Sequence, residues 1–135
     1  MKEIKIYTDG GSRGNPGPAA CAFVIYENDQ ILFEKSLFIG TTTNNVAEYS
    51  GVLSAIDWCL MSNVECLISF YLDSELVVKQ MKGEYRIKDE RLKILYDKIK
   101  SSIINHQLSI KFNHVPRAQN ARADYLVNQE LDQHK

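Results

Sequence analysis

The chain has 135 residues, 44% of them hydrophobic and 24% charged, with a formal net charge of −1. That composition excludes the disordered, fibrous and membrane-embedded classes and fits one globular domain, 1–135, which can bury roughly two thirds of its unfolded surface. The near-zero charge also lacks the overall basic excess of a strong nucleic-acid binder, and Cys21, Cys59 and Cys66 form neither a CxxC pair nor a metal-ligand cluster. Free thiols and the absence of a signal-like opening or a run of ~20 apolar residues lead us to expect a cytoplasmic protein, with no membrane partner, acting as a monomer.

Residues 3–8 (EIKIYT) alternate polar and apolar, 20–27 (ACAFVIYE) form a continuous apolar run, and 30–39 (QILFEKSLFI) are rich in apolar and aromatic side chains. All three read as strands, joined first by a tight turn at GGSRGNPGP. From Thr42 the period changes to helical, with Val52, Ile56, Cys59 and Leu60 on one stripe and TTTNN supplying cap residues, which predicts a helix over about 44–61. A short apolar run at 66–72 (CLISFYL) predicts a buried strand, and a short helix follows Asp73-Ser74 and stops at Gly83. Leu92, Leu95, Ile99 and Ile103 mark a further amphipathic helix, 108–115 alternates as a strand, and the last helix covers 121 to about 131. The expected order is βββαβααβα, an α/β fold. A meander followed by β–helix–β crossovers implies one mixed sheet with helices on its faces.

Between Lys79 and Lys100 eight Lys/Arg stand against four Asp/Glu. On charge alone this is a solvated helical face with i,i+4 pairs. It becomes a nucleic-acid surface only if other features point the same way.

Four carboxylates carry those other features. Asp9 and Asp73 each close a predicted strand, where the active sites of open α/β sheets tend to lie, although an Asp there also serves as a turn former or helix cap. Glu48 precedes Val52, Ile56 and Cys59 by four, eight and eleven residues, which puts a carboxylate on an apolar stripe with no basic residue one turn away; a Glu at the helix end reaching solvent is the plain alternative. Asp124 precedes Val127 and Leu131 on the last helix, where a first-turn Asp also suits the helix dipole. Hard oxygen ligands without Cys or His point to Mg²⁺ or Mn²⁺ rather than zinc.

The motifs YTDGGSRGNPGPAA at 7–20, TTNNVAEYSGVLSAI at 42–56, YLDSELVVKQMKGEY at 71–85 and NHVPRAQNARADYLVNQEL at 113–131 occur in order along nearly the whole chain. In these the sequence resembles the type 1 ribonuclease H family, in a short form without a basic protrusion. The resemblance implies a ribonuclease H-like fold: a five-stranded mixed sheet, an antiparallel meander of three strands plus parallel strands, with helices on both faces. It also implies hydrolysis of the RNA strand of an RNA–DNA hybrid, leaving 3′-hydroxyl and 5′-phosphate ends. Two Mg²⁺ ions, or Mn²⁺ as a substitute, would then be held by Asp9, Glu48, Asp73 and Asp124, with Asp9 bridging.

Substrate contacts are expected from Gly10, Gly11, Ser12 and Asn15 in the glycine-rich turn and from Asn44 and Asn45, whose amides can bond a 2′-hydroxyl. Where relatives carry a mobile His before the last carboxylate, the spacing here offers His114 and a gapped reading offers Arg117; Asn120, four residues before Asp124, is placed to orient that carboxylate. Glu75 stands where several relatives have a substrate-contacting Gln. Lys79, Lys82, Arg86 and Lys88 could form a reduced hybrid-binding surface.

Overall fold

The computed structural model describes residues 3–134. Strands β1 (Glu3–Ser12), β2 (Gly17–Glu27) and β3 (Gln30–Thr42) form the antiparallel meander, and α1 (Asn44–Met61) returns the chain so that β4 (Leu67–Leu72) lies parallel to β1. Helices α2 (Glu75–Met81) and α3 (Glu90–Asn105) lead to β5 (Ile110–His114), parallel to β4, and a 3₁₀ turn at Arg117–Asn120 precedes α4 (Ala121–Asp132). The sheet order is β3-β2-β1-β4-β5. Fold class and element order agree with the sequence reading. Among the described residues no helix is long and apolar enough to cross a membrane.

The sheet separates two cores. Ile6, Phe23, Ile25, Ile68 and Phe70 pack with Val52, Ile56 and Cys59 of α1, Val77 of α2 and Ile99 of α3. On the other face Ala20, Ala22 and Val24 meet Ala123, Leu126, Val127 and Leu131 of α4. Alternation along β2 explains the continuous apolar run at 20–25, since both faces of that strand are covered. The alanines leave room for α4 to lie close to the sheet.

The helix ends follow local chemistry. Thr43 caps α1 by accepting from the Val46 amide, Ser74 caps α2 by accepting from Val77, and Asp89 caps α3 by accepting from Arg91 and Leu92. Gly83, with φ of 79°, terminates the α2 segment as expected.

The meander corrects one expectation. GGSRGNPGP is not all turn: Gly10, Gly11 and Ser12 remain in β1, paired with Cys21, Ala20 and Ala19, and only residues 13–16 turn the chain. Asp9 therefore sits inside β1, opposite Ala22, rather than at the strand's end. Backbone pairing with β2 extends the strand through residues that by themselves favour a turn.

Candidate active site

Beyond the registered pair Tyr7–Tyr71 the ladder of β1 and β4 ends, and Asp9 and Asp73 each follow by two residues. Side chains two apart share a face, so both carboxylates emerge on the side of the sheet that carries α4. Glu48 arrives from the opposite side, on the first turns of α1. Gly10 makes this approach feasible: a Cβ there would run into the Ala47 carbonyl and the Glu48 nitrogen. Its glycine is required by the helix above it, where the sequence reading had assigned it to close approach of substrate.

Oxygens of Asp9, Glu48 and Asp73 can lie within 4.8 Å of one another. Asp9 and Glu48 are 7% and 8% exposed, and Glu48 Oε2 is buried with no hydrogen-bond partner. The Asp9 carboxyl is pushed up to about 7, by burial first and then by the charges of Asp73 and Asp124, against a hydrogen bond with Glu48 that lowers it. Burial, followed by the nearby Asp9 charge, holds the Glu48 carboxyl well above the usual carboxylate range. The Gly10 backbone bonds to both carboxyls and lowers both. So crowded a set of buried acids calls for a cation: like charges in a low-dielectric site oppose full ionisation unless something positive lies between them.

Asp124 lines the same cavity, of about 350 Å³, but stands outside the three-carboxylate cluster. Its Oδ1 lies 3.6 Å from the Arg117 guanidinium, which also lines the cavity. His114 does not line it and instead occupies the exposed end of β5. Asn120 is 1% exposed and acts on a different carboxylate from the one expected. Its amide donates to the Thr8 carbonyl at 2.8 Å and to Asp73 Oδ2 at 3.3 Å, tying the start of α4 to the middle of β1 and to the residue that follows β4.

At the cavity's rim, the Ser12 backbone N–H and hydroxyl both donate to Asn44 Oδ1, at 2.9 and 3.2 Å, and the Asn44 backbone N–H donates to Asn15 Oδ1 at 3.0 Å. The glycine-rich segment and the start of α1 thus form one hydrogen-bonded unit. Gly11 lines the cavity beside Ser12, and Asn45 is exposed next to Asn44. Thr43, not either asparagine, provides the side-chain cap of α1. Arg13, which sequence reasoning missed, lines the cavity and pairs with Asp132 at 2.7 Å. Its only sequence signal was a cation within GGSRGN.

Comparison with known proteins places this geometry. A family model described as reverse transcriptase-like matches residues 7–130. Bifunctional protein Rv2228c of Mycobacterium tuberculosis is 39% identical over 134 residues, covering 96% of this chain and 36% of that protein. Ribonuclease HI of Halobacterium salinarum is 37% identical over 130 residues, covering 96% of this chain and 64% of that protein. The chain thus spans less than two thirds of the length of either relative. Among solved structures, LC11-RNase H1, isolated from compost, in complex with an RNA/DNA hybrid superposes with a TM-score of 0.93 at 43% identity, covering 97% of this chain and 98% of that one. With this agreement along nearly its entire length, the chain belongs to the type 1 ribonuclease H family.

Proposed function

We propose that this protein is a metal-dependent endoribonuclease that hydrolyses the RNA strand of RNA–DNA hybrids, leaving 3′-hydroxyl and 5′-phosphate ends. The observation that carries the reading is the convergence of Asp9, Glu48 and Asp73 around a buried, unpartnered Glu48 oxygen. Hard oxygen donors without thiol or imidazole fit Mg²⁺, with Mn²⁺ as a substitute. The likeness to a relative solved with an RNA/DNA hybrid supports the substrate class.

Asp9, Glu48 and Asp73, with Asp124 completing the set from α4, would hold two divalent ions. Bound there, divalent ions supply a water of lowered pKa and charge compensation for the leaving oxygen. The chain's own residues do the rest by positioning. Gly10 seats Glu48 against β1, and Asn120 fixes the Asp73 carboxylate. Arg117 holds Asp124 and, being 81% exposed, can turn its guanidinium towards a phosphate.

Gly11, Ser12, Asn15, Asn44 and Asn45 form the substrate-reading rim. The hydrogen bonds among Ser12, Asn15 and Asn44 set its shape in advance, and Asn45 offers an exposed amide to a 2′-hydroxyl. Free thiols at Cys21, Cys59 and Cys66 fit a cytoplasmic setting, and we read the chain as one domain acting as a monomer.

The test is cleavage of a hybrid labelled on its RNA, in Mg²⁺, in Mn²⁺ and in chelator, beside matched double-stranded RNA, single-stranded RNA and DNA. RNA cut only within the hybrid, only with metal, and not by Asp9→Asn is the expected result. Binding of hybrid without cleavage in either metal would reject the enzymatic reading.

A further inference from the structure

Strand β5 ends the sheet, pairing with β4 on one side and, among the described residues, with no strand on the other. The Ile68 amide donates to Ser109 O at 2.8 Å and the Val115 amide donates to Leu72 O at 2.9 Å. In a parallel ladder alternate residues face the partner, so the backbone groups of Lys111 and Asn113 also point to β4. Those of Ile110, Phe112 and His114 point outward, as a row of alternating donors and acceptors.

A cavity of about 430 Å³ straddles this edge. On one side Phe112 stacks on Phe70 and, with Met81 and Ile103, forms an apolar floor. Three lysines surround it: Lys82 and Lys100 from the helical layer and Lys111 from β5 itself, with no acidic side chain in the lining. None of the three belongs to an ion pair among the described residues. Lys100 is half-buried, donates to Met81 O at 2.7 Å, and lies over the Tyr96 and Phe112 rings.

We propose that this edge is a docking groove for an extended acidic peptide of a partner protein, added to the sheet as a sixth strand. Outward N–H and C=O groups are both satisfied by a peptide backbone; a phosphodiester only accepts and would leave the carbonyls unpaired. Successive side chains of an added strand point to opposite faces, so apolar residues reach the floor while alternate carboxylates meet Lys111. Lys82 and Lys100, on the helical side, add positive charge along the groove that favours the same acidic strand over a basic one. The same lysines repel a second copy of β5, which selects an acidic partner over self-association.

The probe is an N-acetylated, fluorescein-labelled heptapeptide alternating aspartate with leucine, followed by anisotropy and by amide hydrogen exchange of the full chain. Saturable binding is expected, with slowed exchange at Ile110, Phe112 and His114. The Lys82→Glu/Lys111→Glu variant, both positions being exposed, should keep its melting temperature and bind at least about tenfold more weakly. A peptide N-methylated at alternate residues should not bind, because it lacks the ladder donors. Absence of saturation up to ~1 mM peptide overturns the proposal. So does equal binding of the methylated peptide, or its displacement by oligothymidylate of matched charge, either of which assigns the lysines to simple anion attraction.

Discussion

Asp9 and Asp73 are side by side because each stands two residues beyond Tyr7 and Tyr71, the last registered pair between two parallel strands. The tyrosine rings stack at 4.9 Å, which fixes that register immediately below the acids. Any slip of the ladder by one residue would send one carboxylate to the opposite face.

The acids make metal-free stability depend on pH. Burial and the neighbouring acids push the Asp9 carboxyl up to about 7 in the folded protein, from an ordinary value of 3.8. Between those values the folded state holds more protons than the unfolded chain, so stability is greatest below the lower value and falls as pH rises through about 7. In chelator, Asp9→Asn should therefore melt above wild type at pH 8 and alongside it near pH 4. Adding Mg²⁺ at pH 8 should raise the wild-type melting temperature and leave the variant's unchanged. Parallel melting curves at both pH values would remove the crowding argument.

Asn120→Ala should lose more than one contact. The Thr8 carbonyl would remain buried without its donor, costing about 1–3 kcal/mol in urea unfolding. Freed from its amide, Asp73 should bind metal roughly 10–100-fold more weakly in calorimetric titration. Loss of stability with unchanged metal affinity would confine Asn120 to a structural role.

Gly10 and Gly11 should respond differently to alanine. At Gly10 the new Cβ meets the backbone of Ala47 and Glu48, so Gly10→Ala should destabilise by about 3 kcal/mol or more. At Gly11 the nearest atoms are Asn44 Oδ1 and Val127 Cγ1, both 3.9 Å away, an ordinary contact. Gly11→Ala should stay within about 1 kcal/mol of wild type. Denaturant midpoints for the pair check this.

Arg117 lines the cavity and His114 does not. Arg117→Ala should lower kcat on hybrid while leaving the melting temperature near wild type, because the guanidinium that pairs with Asp124 is itself exposed. His114→Ala should keep kcat within about twofold, as a surface substitution away from the site. A drop confined to His114→Ala would transfer the auxiliary role to the histidine.

Glu75 opens α2 and pairs with Lys79 at 2.9 Å. On the proposed hybrid-cleaving reading, Glu75→Gln should release that cation and remove a negative charge that opposes an approaching phosphate backbone. The expected result is a lower KM for hybrid, most evident at low salt, with the melting temperature unchanged.

Much of this arrangement is local and so is legible in the chain. Helix α1 begins and ends where the 3.6-residue period and its Thr43 cap require, and Glu48 falls on the stripe with Val52 and Ile56 because four residues make about one turn. Motif order along the chain identifies the family before any strand is paired. Contacts across long sequence separations are a different matter. Only pairing with Ala19–Ala22 carries β1 through Gly10 and Gly11, only α4's docking aims Asn120 at Asp73 rather than Asp124, and only the sheet order leaves β5 with a free edge. The sequence by itself determined caps, periods and the acids available, because those depend on neighbours within a turn or two. Which acids meet, and which backbone groups remain open to a partner, was decided by tertiary structure, since strand register and helix docking depend on the collective burial of residues far apart in the chain.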